Sequence, residues 1–134
     1  MRAYRVEAIR RIEDRAIAVE GVDALMQRAA AAVAASASNL LQSTSGGRYG
    51  RHVMIMVGAG NNGGDALFAG VRLVRHGVRV TAIQCLGAPH PAGLAALLTA
   101  GGRMIDLDDH YAIQPMPYDL VIDGILGIGG RPGL

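Results

Sequence analysis

The sequence predicts an α/β fold: a three-layer α/β/α sandwich with a mostly parallel sheet, preceded by two N-terminal helices. Three observations lead there. Short, continuously apolar runs such as "HVMIMVG" and "DLVIDGILG" are bounded by glycine and too short for helices, as buried parallel strands require. Segments with helical spacing alternate with them. The stretch "VGAGNNGGD" joins the first such strand to the next helix, so strand, glycine turn, helix and strand form a βαβ unit.

In chain order, Val6, Ile9, Ile12, Ala16 and Ile17 recur at helical spacing up to Gly21, which predicts an amphipathic helix of about four turns. Asp23 is the expected N-cap of a second helix, with Leu25, Met26, Ala29, Ala30, Val33, Ala37, Leu40 and Leu41 as its apolar stripe. The alanine tract within it permits close packing. "STSGGRYGR" is a polar linker, "HVMIMVG" the first strand, "DALFAGVRLVRH" from Asp65 to His76 the next helix, and "VRVTAIQCL" the second strand. "PAGLAALLTAGG" gives a short helix, "RMIDL" a short strand, and "DLVIDGILG" a last buried strand.

Composition excludes several chemistries. With 51% hydrophobic and 18% charged residues the chain is globular, and no apolar run approaches the ~20 residues needed to cross a bilayer. All 13 basic residues are Arg, so neither a P-loop lysine nor a Schiff base is available. Net charge is only +2 and aromatics are scarce, which speaks against nucleic acid as a partner. Cys85 lies in an apolar run and reads as an inert thiol, while His52, His76, His90 and His110 lack ligand spacing. The N-terminal segment is Arg-rich but carries Glu7, Glu13 and Asp14, which transit peptides avoid; a cytoplasmic bacterial location is expected.

Gly58, Gly60 and Gly63 satisfy the G-x-G-x-x-G spacing of a Rossmann-like turn in the right context. Gln84 and Cys85, however, stand where a dehydrogenase would place its ribose-binding acid. Asp65, placed by this reading in the first helical turn, would repel a pyrophosphate. Asn61, Asn62 and Asp65 suit hydroxyls, a carboxamide or a desolvated cation better than bare phosphate. Asp65 could instead only complement the helix dipole, but the adjacent Gly63 and Gly64 favour close approach of a ligand to the backbone. Farther on, Asp123 ends a strand, and Gly124, Gly127, Gly129, Gly130 and Gly133 surround Arg131 in a loop suited to an anion. A strand order of 3-2-1-4 would bring both loops to one crevice.

These residues resemble the YjeF N-terminal domain family, the NAD(P)H-hydrate epimerases. The resemblance rests on "GAGNNGGDALFAGVRL", "DLVIDGILGIGG" and, more loosely, "ALMQRAAAAVA", and it covers nearly the whole chain. It implies epimerisation of the R and S forms of hydrated NADH and NADPH (NADHX, NADPHX), a nicotinamide-nucleotide repair reaction without redox chemistry. Asn61, Asn62, Gly63, Gly64 and Asp65 would contact the substrate, and Asn62 and Asp123 would bind a potassium ion. Gly127, Ile128, Gly129, Gly130, Arg131, Pro132 and Gly133 would hold the phosphate-bearing part. The catalytic base is unassigned: Asp65 is the candidate within the chain, in competition with the Asp of an Asp-x-Pro-Ser-Gly segment that follows in the family. Residues 1–134 are accordingly read as this domain, incomplete at its C-terminus, with a homodimer or a partner dehydratase domain as possible associations. The alternative reading is a non-catalytic nucleotide-binding or scaffold module of the same fold.

Overall fold

The computed structural model describes residues 4–112 and 117–127. Its element order is α1 (Val6–Glu20), α2 (Val22–Ser45), β1 (His52–Val57), α3 (Asn61–Arg75), β2 (Arg79–Gln84), α4 (Pro91–Ala100), β3 (Arg103–Asp106), α5 (Leu107–Ala112) and β4 (Leu120–Gly124). The four described strands form one parallel sheet in the order β3-β2-β1-β4, the order under which the two loops would share a crevice. The first and fourth strands are therefore neighbours, and their C-terminal ends lie side by side.

Strand alternation explains the core. Val53, Ile55 and Val57 share a face with Val80 and Ala82, and with Leu120 and Ile122 across the β1–β4 register. This face packs under α3, whose Ala66, Leu67, Ala69 and Leu73 are buried in the same cluster. On α2, Met26, Ala30, Ala34, Ala37 and Leu41 recur every three or four residues as its buried stripe. Ala at the middle positions lets α2 approach α3 closely, the role the sequence suggested for the alanine tract. Since β1, β2 and β3 progress in one direction, α3 and α4 cover one face. The short α5 follows β3 directly.

Several boundaries differ from the sequence reading. Gly21, at φ 85°, caps α2 in place of Asp23, which falls inside the first turn and forms no cap hydrogen bond there. The helix α3 begins at Asn61, four residues before the predicted start, because the glycines continue the helix instead of preceding it. The short α5 was not expected. Among the described residues β4 lies at the end of the sheet, with Ile122 on the core and Val121 47% exposed. Among the described residues no helix is long and apolar enough to cross a membrane.

At the N-terminal end of the sheet, polar groups tie the strands together. The buried His52 shares a 2.9 Å hydrogen bond between Nε2 and Thr81 Oγ1, and its ring stands 4.6 Å from that of Tyr118. Its backbone NH donates to Asp119 at 2.7 Å, while Arg51 pairs with the same carboxylate. Burial, then Arg79, hold the His52 imidazole below its ordinary pKa. Thr81→Val is expected to destabilise the fold by about 1–3 kcal/mol by stranding a buried ring nitrogen, whereas Thr81→Ser should recover most of the loss. Urea denaturation of the two variants checks this; equal stability for Val and Ser would refute it.

Candidate functional site

The site forms where β1 and β4 end beneath the start of α3. After Val57 the chain turns through Gly58, Ala59 and Gly60, the last at φ 89°, and enters α3 at Asn61. The Gly58 NH donates to the Gly124 carbonyl at 3.1 Å, locking the exit of β1 to that of β4. Asn62 Nδ2 donates to the Leu126 carbonyl at 2.9 Å, and Gly127 lies beside the Asn62 side chain. Thus the loop after Asp123 is held against the first turn of α3. Asp123 belongs with Val121 to the face away from α3, and its Oδ1 accepts from the Ile125 NH at 3.0 Å.

Above this junction lies a cavity of about 440 Å³, walled by Asn61, Asn62 and Asp65 of α3, by Ala59 and Gly127, by Met26 of α2, and by Glu13 and Ile17 of α1. Asp65 projects into it one turn along α3, so the first turn itself carries no acid. The carboxyl is half-buried, and its pKa is pushed up to about 6 by burial first and by the charge of Glu13 second, against the opposing influence of His90. A carboxyl with this pKa exists in both protonation states near neutrality.

Gly63 and Gly64 also have a packing reason for being glycine, beside the ligand approach that the sequence suggested. Both are buried. A Cβ at Gly63 would overlap the Gly58 carbonyl, and one at Gly64 would come 3.1 Å from the His90 ring and from Met26 Cε. Packing of the turn, of α2 and of the start of α4 thus requires small residues at both positions. His90 itself caps α4, its Nδ1 accepting from the Gly93 NH at 3.1 Å, with Phe68 edge-on to its ring.

A second concavity, over the ends of β2 and β3, includes Gln84, Cys85, Asp106, Asp108 and Asp109. Gln84 Nε2 donates to the Gly87 carbonyl at 3.0 Å, closing its own turn. Burial raises the Cys85 thiol pKa, in keeping with an inert sulfur.

Among the sequence-predicted residues, Asn61, Asn62, Asp65 and Gly127 come together in the first cavity, and Asp123 stands at the neighbouring strand end. Ile128, Gly129, Gly130, Arg131, Pro132 and Gly133 lie outside the described residues. Sequence reasoning did not find Glu13, Ile17, Met26 or Ala59. Glu13 belongs to the polar face of an amphipathic helix, and nothing in that periodicity tells a face toward bulk water from one toward a cavity. Among the described residues no three His, Cys, Asp or Glu side chains are grouped to hold a metal ion. The donors at the β1–β4 junction are instead amide, carboxylate and carbonyl oxygens, which suit a hard cation.

Comparison with known proteins agrees with this architecture. The sequence pattern of the family described as YjeF-related protein N-terminus matches residues 22–134. The chain is 38% identical over 128 residues to the bifunctional NAD(P)H-hydrate repair enzyme of Mycobacterium tuberculosis, a match covering 95% of this chain and 26% of that protein. It is 39% identical over 127 residues to the NAD(P)H-hydrate epimerase of Microbacterium testaceum, covering 95% of this chain and 46% of the relative. The chain thus spans between a quarter and a half of the length of these curated relatives. The crystal structure of the yeast protein ynu0 superposes with a TM-score of 0.82 at 18% identity, over 100% of this chain and 60% of the yeast chain, a likeness of fold.

Proposed function

The chain belongs to the family of YjeF-related protein N-termini, and from that membership we propose that it acts on hydrated nicotinamide nucleotides, interconverting the R and S forms of NADHX and NADPHX. The observation that carries this reading is the cavity in which Asn61 and Asn62 stand beside a carboxyl of pKa about 6. The reading is supported by two relatives whose names describe NAD(P)H-hydrate repair and epimerisation.

In this reading the hydrated ring and its ribose occupy the cavity. The amides of Asn61 and Asn62 offer both donors and acceptors to a carboxamide and to hydroxyls. Asp65 in its acid form protonates the hydroxyl of the hydrated carbon, the C–O bond breaks as water leaves and the ring-nitrogen lone pair closes the iminium; water then adds to the opposite face of that carbon and returns its proton to the Asp65 carboxylate. A group whose pKa lies near the working pH can both give and take back a proton, and inverting a centre in either direction needs both. The apolar side chains of Ile17 and Met26 narrow the cavity and limit water around the ring. The phosphate-bearing part of the substrate is assigned to the loop from Gly127 to Gly133, with Arg131 as its cation.

Asn62 stands on the α3 side of the junction and Asp123 on the other face of β4, so the potassium ion that family membership implies would have to be held across the strand ends by oxygens of both. Asn62 uses its Nδ2 on Leu126, with no partner on Oδ1 among the described residues, while Asp123 has engaged one carboxylate oxygen with Ile125. These two residues would hold the ion, which would supply a fixed positive charge near the nucleotide. Asn62 would then have a double part, joining the two loops and facing the ligand.

The test is to add pure (S)-NADPHX to the protein and follow the appearance of the R form by chromatography, with amide shifts of Asn61, Asn62 and Asp65 recorded in parallel. Interconversion above the spontaneous rate, with shifts at these three residues, is the expected result. Spontaneous-rate mixing with no shift at the cavity would overturn the proposal.

A further inference from the structure

The helix α1 makes its packing contacts with α2, has no buried residue, and precedes the segment matched by the family pattern. Even so, Glu13 and Ile17, one turn apart on the same face, form part of the cavity wall opposite α3. Glu13 makes no hydrogen bond or ion pair among the described residues, in contrast to Glu20, which receives Arg28 at 2.7 Å. Its carboxylate is therefore left to act on what lies across the cavity.

We propose that Glu13 is a specificity-determining residue of the cavity: with Asp65 it forms a pair of facing carboxylates that admits the uncharged, donor-bearing part of a ligand and rejects an anion. This rests on the functional reading above and extends it to which end of the substrate enters. An uncharged carboxamide or hydroxyl between two carboxyl groups can donate to either. A phosphate or carboxylate placed there would meet like charge on both sides and would lose its water without gaining a cation. Among the groups facing Asp65, His90 at the cap of α4 favours the ionised carboxylate, while Glu13 from α1 opposes it; Met26 from α2 is neutral. Removing the charge of Glu13 should therefore release Asp65 toward an ordinary carboxylate and make the cavity more tolerant of anions.

The experiment compares the whole chain with Glu13→Gln and, as a control on another face of α1, Glu7→Gln. The first readout is the Asp65 side-chain carboxyl titration by carbon-detected NMR without ligand. The second is the affinity for nicotinamide and for nicotinate, an isosteric neutral and anionic pair. In Glu13→Gln the Asp65 midpoint should fall and the preference for nicotinamide should shrink by about two- to fivefold, the size of a solvent-accessible charge interaction. Glu7→Gln should change neither. An Asp65 midpoint that does not move in Glu13→Gln overturns the placement of Glu13, and a moved midpoint with unchanged ligand preference overturns its selective role. If the midpoint moves but neither compound shifts a cavity amide, the nicotinamide reading of the site fails together with the selectivity built on it, while the facing pair stands.

Discussion

Asp65→Asn is expected to lower the rate of R and S interconversion by about 10²- to 10⁴-fold, the range supplied by a positioned acid or base, while leaving the protein folded. The amide keeps the size of the carboxyl and can still hydrogen-bond a hydroxyl, so ground-state binding should change far less than turnover. A second consequence follows from the raised pKa. In the unfolded chain the group titrates near 3.8, and in the native protein at about 6. Between these values the folded state holds a proton that the unfolded state has released. Stability must therefore fall as pH rises through this window and then level off above it. The Asn variant lacks this loss, so the stability difference between wild type and variant should change between about pH 4 and 6 and be flat outside it. Solvent reaching the half-buried carboxyl will keep the amplitude small. Urea denaturation across that range, subtracting one curve from the other, isolates Asp65 from the other titrating groups. A difference that does not vary with pH would remove the physical basis for Asp65 as a proton carrier.

The parts of the fold legible in the sequence are those governed by short-range pattern. Apolar runs bounded by glycine located all four strands, and helical spacing located α1 to α4, since burial of one face imposes a period that the chain carries openly. The order β3-β2-β1-β4 followed from a general rule of doubly wound sheets. The start of α3 was misplaced because Gly63 and Gly64 look like turn residues, yet their small size serves packing against the Gly58 carbonyl, His90 and Met26. That requirement is tertiary and leaves no local trace. The same holds for the site. Asn61, Asn62 and Asp65 are contiguous and could be read as a motif, while Glu13 and Ile17 join them only because α1 and α2 fold back over the C-terminal strand ends. The pKa of Asp65 is likewise a property of the assembled cavity.

Gly58→Ala should be among the most destabilising single changes in the molecule, costing about 3 kcal/mol, at the upper end for an overpacked interior. A Cβ there would overlap the Ile125 carbonyl, and its close neighbours are backbone atoms that cannot rotate away. The carbonyl of the same residue occupies the space a Cβ at Gly63 would need. Gly58 is thus where three backbones meet: the exit of β1, the first turn of α3 and the exit of β4. For Gly63→Ala the helix propensity of Ala would return roughly 1 kcal/mol, so its net loss should be smaller than that of Gly58→Ala. Gly64→Ala should be milder again, because the atoms 3.1 Å from its Cβ belong to side chains, one of them the flexible end of Met26. Equilibrium unfolding should therefore rank the three variants with Gly58 worst and Gly64 least affected. The ranking separates two accounts of the glycine turn. If these residues are small so that a ligand can approach, each Ala variant would keep its stability and lose binding. If they are small because three chain segments must touch, stability falls in the stated order and the loop after Asp123 separates from Asn62 as it falls. A Gly58→Ala protein as stable as wild type would show that the close contact between β1 and β4 does not hold the site together.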